Sequence, residues 1–107
     1  MGKTIPVDLG PVDELPLEMG LCFVIKGAEI AVFRSRDGRI FAVQNRCPHR
    51  QGTLSDGIMG AGIVICPSHG HKFDLVTGQG SEAGECVKIF SVRDVNGRAI
   101  LDYPTGV

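Results

Sequence analysis

Residues 29–44 constrain the fold more than any other stretch of the chain. Glu29 to Arg34 and Arg39 to Gln44 are two apolar runs joined through Ser35-Arg36-Asp37-Gly38. An Asp-Gly pair between such runs is a strong hairpin signal, because both residue types tolerate the tight turn. An ordinary surface hairpin is apolar on one face only. Here Ile30 and Val32 lie on one face and Ala31 and Phe33 on the other. Ile40 and Ala42 against Phe41 and Val43 repeat the arrangement. A strand that is apolar on both faces has to be covered on both. The expectation is an all-β chain, an antiparallel sandwich or barrel, with this hairpin buried inside it.

Other strand signals agree, and no long helical period appears. Leu21 to Ile25 is a short apolar run closed by Lys26-Gly27, and Phe90 and Val92 alternate with Ser91 and Arg93. Asn96-Gly97 then marks a turn before Ala99 to Tyr103. Val12 to Pro16 reads as one helical turn or a plain loop. With 107 residues, the expectation is a single domain over 1–107. Eleven basic against twelve acidic residues argue against a partner held by bulk charge, so neither nucleic acid nor an anionic membrane is expected. No apolar run approaches the roughly 20 residues of a membrane span, and the start of the chain lacks an apolar signal core. These features point to a cytoplasmic protein.

Between the two scaffold hairpins lies a different region, about residues 45–81, rich in Gly, Pro, Cys and His. Eight of the fifteen glycines fall between Gly52 and Gly84, so tight loops are concentrated there. It reads as a loop-rich subdomain inserted into the β-scaffold, with few large apolar residues of its own. Metal binding is therefore expected to supply much of its order. All three histidines and two of the four cysteines lie within it. They form Cys47-Pro48-His49 and, sixteen residues later, Cys66-Pro67-Ser68-His69, with His71 just beyond. Each pair precedes a glycine-containing loop. Two such loops can converge on one metal centre, each giving a thiolate and an imidazole. Two Cys and two His also make a tetrahedral zinc set, so a zinc-stabilised binding module is the competing reading. A nucleophilic Cys66 with His69 as base would leave the first pair unexplained.

The run Cys47-Pro48-His49-Arg50-Gln51-Gly52, followed by Cys66-Pro67-Ser68-His69-Gly70, resembles the two boxes of Rieske proteins. Phe73-Asp74 and Thr77-Gly78 also resemble the tail of the family's second box. The resemblance implies a Rieske-type 2Fe–2S cluster, with Cys47 and Cys66 on one iron and His49 and His69 on the other. Replacing two thiolates by neutral imidazoles lowers the negative charge around the irons, so the potential rises above that of an all-Cys cluster. The implied role is one-electron transfer, with no catalysis expected from the chain alone. Ile30 to Arg34, Asn45 to His49 and Glu85-Cys86-Val87-Lys88 look closest to the small subunit of assimilatory NAD(P)H nitrite reductase. The implied partner is then a large flavin- and sirohaem-containing subunit. The ferredoxins of ring-hydroxylating dioxygenases are the alternative, with a ferredoxin reductase and an oxygenase as partners.

The remaining polar and sulfur residues receive plainer expectations. Cys22 and Cys86 read as small buried hydrophobes. His71 reads as a solvent-facing or hydrogen-bonding neighbour of the cluster, and Asp74 as a residue that orders the second loop. Arg46, Arg50 and Lys72 read as a solvated rim or, more sharply, as a basic collar for an acidic partner.

Overall fold

A computed structural model describes residues 3–48, 52–67 and 70–105. Nine strands occupy it: β1 (Thr4–Pro11), β2 (Gly20–Ile25), β3 (Ala28–Arg34), β4 (Ile40–Gln44), β5 (Ile58–Gly60), β6 (Ile63–Ile65), β7 (Lys72–Asp74), β8 (Ile89–Val95) and β9 (Arg98–Pro104). The helical content of the described residues is two 3₁₀ turns, Val12–Glu14 and Leu54–Asp56. All strand pairings are antiparallel, and the chain is all-β as its hydrophobic pattern requires.

The large sheet has six strands in the order β1-β9-β8-β4-β3-β2, and β5-β6-β7 form a small second sheet. Every strand of the large sheet sends residues into one core. Val7 and Leu9, Phe23 and Ile25, Ile30 and Val32, Ile40 and Ala42, Phe90 and Val92, and Ala99 and Leu101 pack there together. A sheet whose strands all share one interior is curled around it. The opposite face of β3 and β4 carries Ala31, Phe33, Phe41 and Val43, which pack against Leu54, Met59, Val64, Phe73 and Leu75. The doubly apolar hairpin thus separates two cores, one inside the curl and one beneath the small sheet.

Turn chemistry sets the register. Lys26-Gly27, Ala61-Gly62 and Asn96-Gly97 each place two successive residues at positive φ, the requirement of the tight hairpin turn that matches strand twist. The Val12–Glu14 turn is fixed from outside itself: Arg34 Nη1 donates to the carbonyls of Val12 and Leu15 at 2.9 and 3.0 Å. Strand β1 was not apparent from the sequence. Its two prolines suit an edge strand, where a missing N–H costs no ladder bond, and it pairs with β9 from Thr4↔Pro104 onward.

Two expectations are corrected. Cys22 is exposed. Phe23 and Ile25 face the inner core, so strand alternation turns Cys22 and Val24 outward from an edge strand. Cys86 is exposed as well, because its neighbour Val87 takes the buried place, with its N–H donating to the Gly78 carbonyl at 2.7 Å. The inserted region also has more buried apolar packing than its composition suggests. Leu54, Met59, Val64, Phe73 and Leu75 are all at most 3% exposed.

Candidate metal centre

Cys47 and Cys66 sit at the roots of two loops that are closed in the same way. The Cys47 N–H donates to the Gly52 carbonyl at 2.8 Å, and the Cys66 N–H donates to the His71 carbonyl at 2.8 Å. The second loop is tightened further by Gly70, whose N–H donates to the Cys66 carbonyl at 3.0 Å with φ at +74°. Pro48 and Pro67 follow each cysteine and fix φ there. His49, Arg50, Gln51, Ser68 and His69 lie outside the described residues, so two of the four expected ligands have no placement here.

The first loop is anchored by Asn45, which is 2% exposed. Its Oδ1 accepts from the Ser55 N–H at 2.9 Å, and its Nδ2 donates to Glu29 Oε1 at 3.1 Å and lies 3.5 Å from Cys22 Sγ. Its backbone N–H donates to the Glu29 carbonyl, and its carbonyl accepts from Leu54. One buried amide therefore ties β3, the Cys47 loop and the Leu54–Asp56 turn together. Glu29 also accepts from Arg46 Nη2 at 3.1 Å. The amide of Asn45 first, and then the Arg46 guanidinium, hold the Glu29 carboxyl below the usual glutamate value. Arg46 is consequently a neutralised member of the rim.

The second loop is held by β6 before it and β7 after it. Gly57 lets β6 approach: a Cβ there would stand 2.3 Å from the Ile65 carbonyl oxygen. His71 Nδ1 lies 2.8 Å from Glu85 Oε1, both side chains being under one-fifth exposed. This contact gives His71 a hydrogen-bonding partner within the chain and joins the loop to the segment before β8. Asp74 orders the turn after β7, its Oδ1 accepting from Val76 at 2.7 Å and Thr77 at 3.0 Å. Those N–H groups, Thr77 first, hold its carboxyl below the ordinary aspartate value.

The two cysteines are both thiols and not a disulfide. They are 4% and 1% exposed and belong to the same core cluster. A pair of dry thiol donors on neighbouring loops fits an iron–sulfur cluster, since soft thiolates suit such iron and burial keeps water from the metal–sulfur bonds. Among the described residues no three His, Cys, Asp or Glu side chains gather into another metal site. Sequence reasoning found both cysteines but missed Asn45, Glu29 and Glu85. Their partners are distant in sequence, and the available signal was only a polar residue closing an apolar strand.

Comparison with known proteins supplies the family. The profile of the Rieske-like [2Fe-2S] domain matches residues 7–102. The anthranilate 1,2-dioxygenase ferredoxin subunit of Burkholderia cepacia is 35% identical over 92 residues, covering 84% of each chain. The 4beta-methylsterol monooxygenase of Methylococcus capsulatus is 50% identical over 48 residues, which are 45% of this chain and 13% of that much longer protein. A solved structure described as an NADPH nitrite reductase small subunit superposes with a TM-score of 0.83 at 27% identity, covering 91% of this chain and 97% of the other. These matches replace the zinc reading with a Rieske-type 2Fe–2S cluster. The helices of the described residues include none long and apolar enough to cross a membrane. With its curled antiparallel sheets, its paired loops and their two buried thiols, the chain belongs to the Rieske 2Fe–2S family and is an electron-transfer protein.

Proposed function

We propose that Cys47, His49, Cys66 and His69 hold the cluster and that the chain supplies single electrons to a separate oxygenase, as a ferredoxin component. The two buried thiols at the roots of matching closed loops carry the ligand assignment. When bound, the cluster takes up and returns one electron at a time. The chain's own residues fix the donors. Backbone bonds close each loop at its cysteine, Asn45 locks the first loop to β3, and the His71–Glu85 contact locks the second. Cysteine donors held in this way let the electron enter and leave with little reorganisation, the same preorganisation that serves polar active sites. The oxygenase reading is supported by the similarity to the Burkholderia ferredoxin subunit along most of both chains. A second reading, the small subunit of a nitrite reductase, is supported by the likeness to the NADPH nitrite reductase subunit at 27% identity.

The ligand assignment is tested by replacing each of the four residues singly, by Ser for Cys and Ala for His. Iron, labile sulfide and visible absorbance should be lost or the spectrum altered in all four, while Cys22→Ala and Cys86→Ala keep the wild-type spectrum. A Cys86→Ala protein that lost its iron while Cys47→Ser kept it would overturn the assignment. Reduced protein offered separately to an aromatic-ring dioxygenase and to a sirohaem nitrite reductase should support turnover of the first. Turnover of the second alone would favour the reductase reading.

A further inference from the structure

Charge compensation on this surface is uneven. Arg36, Arg39, Arg46, Arg93 and Arg98 each pair with a carboxylate at 2.7 to 3.1 Å. Among the described residues, none of the four lysines makes such a pair. Three of those four are brought to one end of the scaffold. Lys26 and Lys88, with Tyr103, Pro104 and Thr105, line a cavity of about 420 Å³. Lys3 adjoins it through its carbonyl, which accepts from the Thr105 N–H and Oγ1 at 2.9 and 3.1 Å.

This end is also where the chain leaves for the cluster loops. The Gln44 N–H donates to the Lys88 carbonyl at 2.9 Å, and the Lys88 N–H donates to Gln44 Oε1 at 2.7 Å. Gln44 Nε2 in turn donates to the Arg46 carbonyl at 2.8 Å, one residue before Cys47. Lys26 lies in the turn between β2 and β3, three residues before Glu29, whose carbonyl binds Asn45. The cavity wall is stiff as well: Tyr103 stacks on Phe90 at 6.2 Å, and Lys88 Nζ sits 5.2 Å from the Phe90 ring centre.

We propose that this lysine-lined cavity is a docking socket for an acidic segment of the redox partner, which seats a carboxylate between Lys26 and Lys88 beside the Cys47 loop. The proposal rests on the electron-carrier role and not on which of the two partners is right. Two exposed ammonium groups with no carboxylate partner among the described residues attract negative charge, and a protein surface can bring it. A nucleic acid or an anionic membrane fits poorly: the whole chain carries a charge of −1, and three lysines cannot neutralise an extended polyanion. Lys72, the remaining unpaired lysine, lies on β7 of the small sheet and serves as the control.

The test uses isotope-labelled holoprotein observed by amide NMR, with a hexaglutamate peptide as one probe and inorganic phosphate as the other. The peptide should shift the amides of Lys26, Gly27, Lys88, Tyr103 and Thr105. The Lys26→Gln/Lys88→Gln variant should weaken its binding by about tenfold, as should raising the salt from about 0.02 to about 0.3 M. Lys72→Gln should change nothing; loss of peptide binding in that variant would favour the basic collar around the two boxes and overturn the socket. Equal binding by the double variant, or shifts confined to other surfaces, would overturn the proposal. Phosphate binding as tightly as the peptide would make this a small-anion site and also overturn it. Visible absorbance reports the cluster separately, so a colourless protein that still bound the peptide would count against the electron-carrier role and leave the socket standing.

Discussion

Asn45 is the residue on which the first box depends most. Its side chain accepts from Ser55 and donates to Glu29, and it is buried. Asn45→Ala should therefore remove two bonds and leave a buried N–H and a carboxylate short of partners, at a cost of about 2 to 3 kcal/mol in urea unfolding. Asn45→Asp should cost as much, since it sets a second carboxylate against Glu29. Wild-type stability in either variant would mean that the loop is held by the backbone alone. Asp74 behaves differently, because its role depends on charge. The Thr77 and Val76 N–H groups favour the ionised form and hold its carboxyl below the ordinary value of 3.8. A group with a depressed folded pKa contributes stability above its unfolded pKa and loses it as pH falls through the folded one. Asp74→Asn should thus lower the melting temperature at pH 7, and the gap to wild type should close as the pH falls below the ordinary aspartate value of 3.8. A gap independent of pH would assign the effect to turn shape and not to charge.

At the scale of elements, close approaches of backbone decide where the small sheet can sit. Gly78 has φ at +82°, and a Cβ there would lie 2.3 Å from the Val87 carbonyl oxygen. Gly57 has an ordinary φ but the same 2.3 Å conflict with Ile65, the residue that leads into Cys66. Gly57→Ala should push β6 away from the Leu54–Asp56 turn and so separate the two cysteine loops. Its expected signature is a fall in iron bound per chain, with the far-ultraviolet dichroism of the large sheet retained. Gly78→Ala combines strain with the clash and should cost more than about 3 kcal/mol. Gly84, at φ +82° but with nothing within 4 Å, should tolerate Ala with a smaller loss. Equal losses at Gly78 and Gly84 would show that conformation, not the approach to Val87, sets the cost.

For the whole molecule, the two cores imply two different responses to loss of iron. The inner core lies within the curled sheet and contains neither Cys47 nor Cys66. The second core contains Cys47 and Cys66 but is built mainly from Phe33, Phe41, Leu54, Val64, Phe73 and Leu75. Apolar burial of this kind persists without metal. After chelation of the iron, amide exchange should accelerate at Cys47, Cys66 and Gly70, whose bonds close the loops. The amides of β6, paired on both sides, should stay protected. Collapse of protection throughout β5–β7 would instead show that metal supplies most of the order in this region.

Features encoded over a few residues were legible in the sequence. The doubly apolar β3–β4 hairpin and the turns at Asp37-Gly38 and Asn96-Gly97 were read correctly, and the two Cys-Pro boxes carried the family resemblance, because strand alternation, turn φ and motif spacing are local properties. Features that depend on which strand meets which were not legible. Cys22 and Cys86 look buried in a run of apolar letters, but Phe23 and Val87 occupy the inward positions and turn the thiols out. β1 becomes a strand by pairing with β9, nearly the whole chain away, and the same pairing brings Lys3 to the end where Lys26 and Lys88 lie. Local chemistry therefore specifies the β-scaffold and the two Cys-Pro boxes, while long-range register alone decides which side chains are covered and which charges become neighbours. Closing such distant pairs is favoured only by the core they complete, and no short window of sequence contains that core.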